Sequence, residues 1–326
     1  MKQIPKTSGS IVANGNTFGR FRQKAEEIGL RLIRAYTCNT PVDKGKYRLF
    51  QIALKLCKYP HNSLSVAVKD GRKFRVDLTT GMQETVFFHG VYEKAITDIS
   101  RELIVAGDTC IDVGANFGWY TTFFSVCVGP TGSVHAFEPV PRMFSELKHN
   151  CELLGDDGNV FINDLALGDT TGNVFISLIK GEATGHASLA SHGSDEAETF
   201  ECRMITLDSY LDSHHVKQVD FLKADIEGAE LIFLKGAQKI FDQIVPPVIL
   251  MEMALAETRP FGYLPNDLIE FIAARGKYNF YSINETHGRL RPISGFGADD
   301  IGANVFCIPH DAAAKVKTVI QKYLEI

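Results

Sequence analysis

Five apolar stretches of this chain each end, or nearly end, in a carboxylate: Asp112, Glu138, Asp164, Asp225 and Glu252. From residue 109 onward, "TCIDVG", "GSVHAFEP", "NVFINDLALGD", "VDFLKADIEG" and "PPVILMEMA" alternate with amphipathic segments of helical length. Short apolar strands between such helices call for an α/β fold, a doubly wound and mostly parallel sheet. In an open parallel sheet, ligands bind beyond the carboxyl ends of the strands, near the switch in strand order. Acids along that edge make an acceptor surface suited to hydroxyls, amines and cations, and poorly suited to naked phosphates. Helix capping explains one or two of the five acids, but not all of them. Two late stretches, "YNFYSINE" and "NVFCIPH", read as an antiparallel hairpin added at the sheet's edge.

Composition bounds the rest. A chain of 326 residues with 45% hydrophobic content buries one large core, or one core and a small extension. Its 7 cysteines are scattered and form no CxxC pair, which fits a reducing compartment and argues against a disulfide framework or a cysteine zinc site. The start lacks a signal-peptide apolar region, and no window approaches the ~18 apolar residues of a membrane span, so a soluble cytoplasmic protein is expected.

Charge is split along the chain. Residues 1–75 hold 16 Lys and Arg against 4 Asp and Glu, while the other 251 residues hold 18 basic and 35 acidic side chains. This is the pattern of a basic arm on an acidic body. In the arm, Phe18, Phe21, Ala25, Ile28 and Leu32 recur at helical spacing among arginines, and "YRLFQIALKLCKY" forms a second apolar segment. Such helices either pack on the body or meet an anionic membrane surface or a phosphorylated or lipid-linked substrate. Asp70-Gly71, between two alternating runs, signals a β-hairpin. The expected divisions are a basic helical extension (1–62), a hairpin and helix leading inward (63–106), a core (107–310) and a C-terminal helix (311–326). Within the core, 169–218 reads as two inserted strands around a mobile substrate loop.

At the first strand end, Gly114 and Gly118 allow close backbone approach and a tight helix start. Their spacing, Gly-Ala-Asn-Phe-Gly, lacks the middle glycine of the dinucleotide fingerprint and leaves less room for a pyrophosphate. Glu138, at the second strand end, stands where an acid takes both hydroxyls of a ribose. A sulfonium cofactor carries no phosphate and gains from nearby acids, which favours S-adenosylmethionine over a nicotinamide dinucleotide.

The motifs "IDVGANFGWYT", "FEP", "ALGD", "TLDSYL", "KADIEGAELIFLKGA" and "VILMEM", in this order between about Gly90 and Pro309, resemble those of FkbM-type methyltransferases. The run Lys223–Glu230 is their most specific element, and Ala224 departs mildly from the family's usual aliphatic residue. The resemblance implies a class I methyltransferase (Rossmann-like) fold, S-adenosylmethionine as cofactor, and an acceptor hydroxyl on a sugar or a polyketide-like product. It also implies that Asp112, Gly114, Asn116 and Gly118 hold the amino-acid end of the cofactor, Glu138 the ribose, and Asp164 with Leu165 the adenine.

An alcohol acceptor needs a general base. "DIEGAE" offers Asp225 and Glu227, with Glu230 better placed as a helix N-terminal charge partner. His186 and His192 lie in the loop and titrate near working pH, His192 reading more as a solvated residue. Alternatively, Asp225, Glu227 and Glu252 hold Mg²⁺ or Ca²⁺, which would acidify the hydroxyl. Trp119 and Tyr120 either stack on a sugar or pack in the helix layer. Expected partners are a small-molecule or glycan acceptor and no nucleic acid, given the acidic body and the lack of an Asp-Pro-Pro-Tyr motif. The rivals are an NAD-dependent oxidoreductase on a similar sheet and a non-catalytic glycan-binding protein.

Overall fold

A computed structural model describes residues 15–40, 45–56, 64–155, 158–179, 187–188, 197–297 and 299–325. Two N-terminal helices, α1 (Gly15–Asn39) and α2 (Lys46–Leu56), precede a hairpin of β1 (Leu64–Ala67) and β2 (Lys73–Val76). The hairpin's strands alternate buried and exposed residues, as their sequence does, and Asp70-Gly71 makes its turn with Gly71 at φ +89°. Arg72 fixes the hairpin to the core. Its buried guanidinium donates to Trp119 O at 2.7 Å and Thr122 Oγ1 at 2.6 Å, and pairs with Asp70 at 3.0 Å. Helices α3 (Gly81–His89) and α4 (Lys94–Leu103) follow, separated by a break at which Gly90 takes a left-handed conformation.

The central elements are β3 (Thr109–Val113), α5 (Trp119–Val128), β4 (Ser133–Phe137), α6 (Pro141–Glu152) and β5 (Val160–Asn163). A side sheet then forms from β6 (Ala166–Leu167), β7 (Gly172–Ile179), β8 (Ala187–Ser188) and β9 (Ala197–Ile205). The chain returns through α7 (Leu207–Ser213), whose N-cap Thr206 accepts from Ser209 N at 3.1 Å. It continues with β10 (Phe221–Ala224), α8 (Glu230–Lys235), β11 (Val248–Ala254), α9 (Leu255–Thr258) and α10 (Pro265–Ala273). The last elements are β12 (Tyr278–Asn284), β13 (Arg289–Ile293), β14 (Gly302–Pro309) and α11 (Ala314–Tyr323).

The large sheet runs β13-β12-β14-β11-β10-β3-β4-β5, with β5, β4, β3, β10 and β11 parallel. The chain moves outward from β3 to β5 and then crosses back to β10, so the switch in strand order lies between β3 and β10. One apolar layer gathers Phe123, Phe124, Ile96 and Ile99 on one face, and another gathers Tyr210, Phe233 and Leu268 on the other. This is the doubly wound, mostly parallel α/β sheet expected from the sequence.

Two local expectations are corrected. The late strands do not form a simple edge hairpin: β14 inserts between β11 and β12, antiparallel to both, and β13 takes the edge. The buried run "VFCI" belongs in the sheet interior, where both faces are covered, whereas "RLRPI" alternates and contains Pro292, which suits an edge. The stretch 159–169 also divides, because β5 ends at Asn163 and β6 pairs with β9 in the side sheet. Among the described residues, no helix is long and apolar enough to cross a membrane, and every cysteine is free.

Candidate functional site

A cavity of about 210 Å³ opens at the carboxyl ends of β3, β4, β10 and β11, on the switch point. Its wall carries Glu93, Glu138, Asp225, Glu227 and Glu252, with Lys223 as the positive charge on that wall among the described residues. Four non-glycine residues among those described have positive φ, and three of them line this cavity: Glu93 (42°), Asn116 (50°) and Glu227 (56°). Strained backbone of this kind persists where surrounding structure forces it, and it gathers at functional sites.

At one end, the loop 114–118 is held against β4. Glu138 accepts from Asn116 N at 2.8 Å and from Val140 N at 2.9 Å. Each carboxylate oxygen therefore keeps further lone-pair capacity for a ligand donor. Burial raises the Glu138 pKa to about 7, with the two amide donors opposing the rise. Gly114 fits because a Cβ there would stand 2.0 Å from the carbonyl oxygen of Asp225, so β3 and β10 approach too closely for any side chain. Leu165 joins this end of the wall.

At the other end is a coupled charge network. Asp112 and Lys223 are register partners in adjacent strands. Lys223 is buried and bonds to Asp225 at 2.9 Å, with its ammonium 4.7 Å from the Tyr120 ring centre. Burial opposes its charge, yet Asp225, Asp112 and Glu93 together hold its pKa above the ordinary lysine value. Glu93 accepts from Tyr120 Oη at 2.5 Å. Burial, then the nearby Asp225 charge, raises the Glu93 pKa to about 7. Glu252 is pushed far up by burial and by Asp225 and Glu227, and it bonds to Asp225 as the protonated partner. Two carboxyls this close share a proton, because both cannot ionise at low cost.

The five strand-end acids thus divide. Glu138, Asp225 and Glu252 line the cavity. Asp112 is fully buried behind the wall, accepts from Thr121 at 2.5 Å, and leaves Oδ1 without a partner. Asp164 is exposed and off the wall. Gly118 is the N-cap of α5 rather than a wall residue, and Trp119 and Tyr120 are buried with their edges on the cavity. Glu230 serves the backbone of the "DIEGAE" turn, accepting from Ile226 N at 2.9 Å. His186 and His192 lie outside the described residues. Among those described, no three acidic, histidine or cysteine side chains group as a metal site, so the cation considered from sequence at Asp225, Glu227 and Glu252 finds no support. Asp225 and Glu252 are instead joined to each other through a proton.

Two charged wall residues, Glu93 and Lys223, stood outside the strand-end reading. Glu93 follows a helix break and ends no strand, so it carried no periodic signal. Lys223 was legible, since a lysine inside "VDFLKAD" must be buried with a partner.

The wall suits a nucleoside with a cationic centre. Glu138 matches a ribose diol, and the carboxylates opposite match a positive sulfur. Lys223 is already paired with Asp225, which leaves no cation on the described wall free to receive a pyrophosphate.

Burial of Glu138 and Glu230 has a consequence for stability. Both have folded pKa values of about 7 against an ordinary value of 4.5. Between those values the folded state binds more protons, so unfolding free energy must fall as pH rises through that window. Below it both states are protonated, and above it the full cost of burying the charge is present. Glu230→Gln should therefore gain on wild type as pH rises from about 5 to about 7.5, by on the order of 2–3 kcal/mol. Urea midpoints across that range check this. A difference that stays flat with pH would show that Glu230 is ionised throughout.

The model of the methyltransferase FkbM domain matches residues 112–279. Among curated proteins, the hexuronic acid methyltransferase AglP of Haloferax volcanii is 30% identical over 145 residues, covering 44% of this chain and 56% of that protein. The match thus spans just over half of that relative's length. Among solved structures, an S-adenosylmethionine-dependent O-methyltransferase from Thermotoga maritima is 13% identical with a TM-score of 0.36, covering 78% of this chain and 96% of that one. Aeropyrum pernix fibrillarin with natively bound S-adenosyl-L-methionine is 15% identical with a TM-score of 0.37, covering 76% and 94%. Likeness at those scores carries no argument about activity.

Proposed function

This chain belongs to the FkbM methyltransferase family, and from that premise we propose that it methylates a hydroxyl of a sugar in a glycan or glycosylated metabolite, using S-adenosylmethionine. The observation that carries the reading is the acidic cavity at the switch point, with Glu138 at one end and the Glu93, Asp225 and Glu252 cluster at the other. The cofactor, when bound, supplies an electrophilic methyl group on a positive sulfur. Glu138 and the loop through Gly114 and Asn116 would hold its nucleoside and amino-acid portions, with Leu165 against the base. Asp112 and Gly118 would act through the protein, by steadying Lys223 and Thr121 and by starting α5. Asp164 would reach the adenine only from outside the wall.

The chain's own residues then manage the acceptor proton. With the methyl group passing from the sulfonium, whose S–C bond breaks to leave S-adenosylhomocysteine, the acceptor oxygen would give up its O–H proton to the Glu93 carboxylate. A pKa of about 7 suits that exchange near neutral pH. Tyr120 holds the Glu93 carboxylate in place, and Lys223 fixes Asp225 beside it. Of the bases considered from sequence, Asp225 and Glu227 stand on the wall, where Asp225 shares its proton with Glu252 and Glu227 would accept from an acceptor hydroxyl. His186 keeps its candidacy from sequence alone.

A hydroxyl acceptor suits this wall better than a carboxylate, which the surrounding acids would repel. The relative's hexuronic acid nevertheless makes an ester the competing product. Incubation with methyl-labelled S-adenosylmethionine and a panel of neutral and uronic glycans tests the choice. Label in a base-stable ether supports the hydroxyl reading. Label in a base-labile ester, or in no sugar at all, contradicts it.

A further inference from the structure

The two N-terminal helices take no part in the cavity wall, yet their outward face has a definite chemistry. On α1, Leu30, Ile33 and Thr37 turn toward the body, where Thr37 donates to Phe88 O at 2.5 Å. The opposite side of the same helix is exposed and apolar. Phe21 is 75% exposed, Ile28 60%, Leu32 67% and Tyr36 43%, and they follow one another at spacings of seven, four and four residues along one stripe. On α2, Phe50 and Ala53 are buried while Leu49 and Ile52 are 39% and 52% exposed. Large apolar side chains exposed in a row mark an interaction surface.

Charge identifies the partner. Helix α1 carries five basic and two acidic residues, and α2 carries three basic residues and no acid. Lys24 flanks the apolar stripe on α1, with Arg31 beside it held by Glu27 at 2.8 Å and by Ser65 O, and Arg48 and Lys55 are exposed beside Leu49 and Ile52. We infer that this face docks on an anionic lipid bilayer, with Phe21, Ile28, Leu32 and Ile52 in the interface and the lysines and arginines against the headgroups. The acidic remainder of the chain, with 35 acidic against 18 basic side chains beyond residue 75, is repelled by the same surface. The molecule is thereby oriented with its arm toward the lipid. A second copy of the chain fits less well, since a symmetric contact would place the positive helix pair against itself. The body-facing side of α1 ties the helix to the chain leading into the site: Thr37 and Cys38 donate to Phe88 O on α3, just before the Tyr92–Glu93 segment of the cavity wall.

The test is co-sedimentation of the full chain with phosphatidylcholine vesicles, with and without phosphatidylglycerol, alongside sedimentation velocity without lipid. The expected result is partition into anionic vesicles only, weakened by salt. Phe21→Ser with Leu32→Ser should lower that partition about tenfold or more, and Lys24→Glu with Lys55→Glu to a similar degree. Both pairs are exposed, so S-adenosylhomocysteine binding serves as a check that the variants fold. Failure to partition into anionic vesicles overturns the inference. So does unchanged partition of the serine variant, or a dimer of the wild type that the serine variant abolishes.

Discussion

Gly114→Ala should lose about 3–5 kcal/mol of stability, together with measurable binding of S-adenosylhomocysteine. Two costs combine at this position. The backbone is left-handed, at φ +78°, which an alanine adopts only with strain of about 1 kcal/mol. The larger cost is collision, because the new Cβ would lie 2.0 Å from Asp225 O and 3.0 Å from Ile226 Cγ2. Relief requires β3 and β10 to part at the switch point, which displaces Asp225 and the loop carrying Asn116. Gly71→Ala separates the two costs, since Gly71 is equally left-handed at φ +89° but meets no atom within 4 Å. It should lose only about 1 kcal/mol and bind normally. Urea denaturation and calorimetric titration of both variants measure the contrast. Equal losses would mean that the close approach of the strands is unimportant.

Glu93→Gln should lower kcat by about 10²–10⁴ while changing S-adenosylhomocysteine affinity less than about threefold. Glutamine preserves the acceptor for Tyr120 Oη and the volume of the side chain, but it cannot take a proton. The wild-type rate should rise with pH and level off near 7, where Glu93 becomes ionised, and the variant should lose that limb. A kcat within threefold of wild type, with the limb intact, would move the base to the pair formed by Asp225 and Glu252. That pair would then titrate in its place.

The order of elements was legible because parallel strands and their helices write long, contrasting patterns. Continuous apolar runs such as "PPVILMEMA" alternate with helices such as that at 265–273. The position of β14 was not legible, since strand order is a property of distant pairings, and "NVFCIPH" reads alike at an edge or inside. Within the site, the strand-end rule found Glu138, Asp225 and Glu252. Asp112 instead lies buried behind the wall, against Thr121. Asp164 follows the end of β5, exposed and off the wall. Glu93 escaped because it reaches the cavity from a helix break outside the sheet, held there by left-handed backbone and by Tyr120. Nothing local in "HGVYEK" announces that contact.

The central claim is that the carboxyl-edge cavity receives S-adenosylmethionine through Glu138. Calorimetric titration with S-adenosylhomocysteine, run beside NAD on wild type and Glu138→Ala, tests it most directly. Wild type should bind S-adenosylhomocysteine at micromolar concentration, the variant should lose at least about tenfold, and NAD should not bind. Binding of NAD without S-adenosylhomocysteine, or equal S-adenosylhomocysteine affinity in the two proteins, would contradict it.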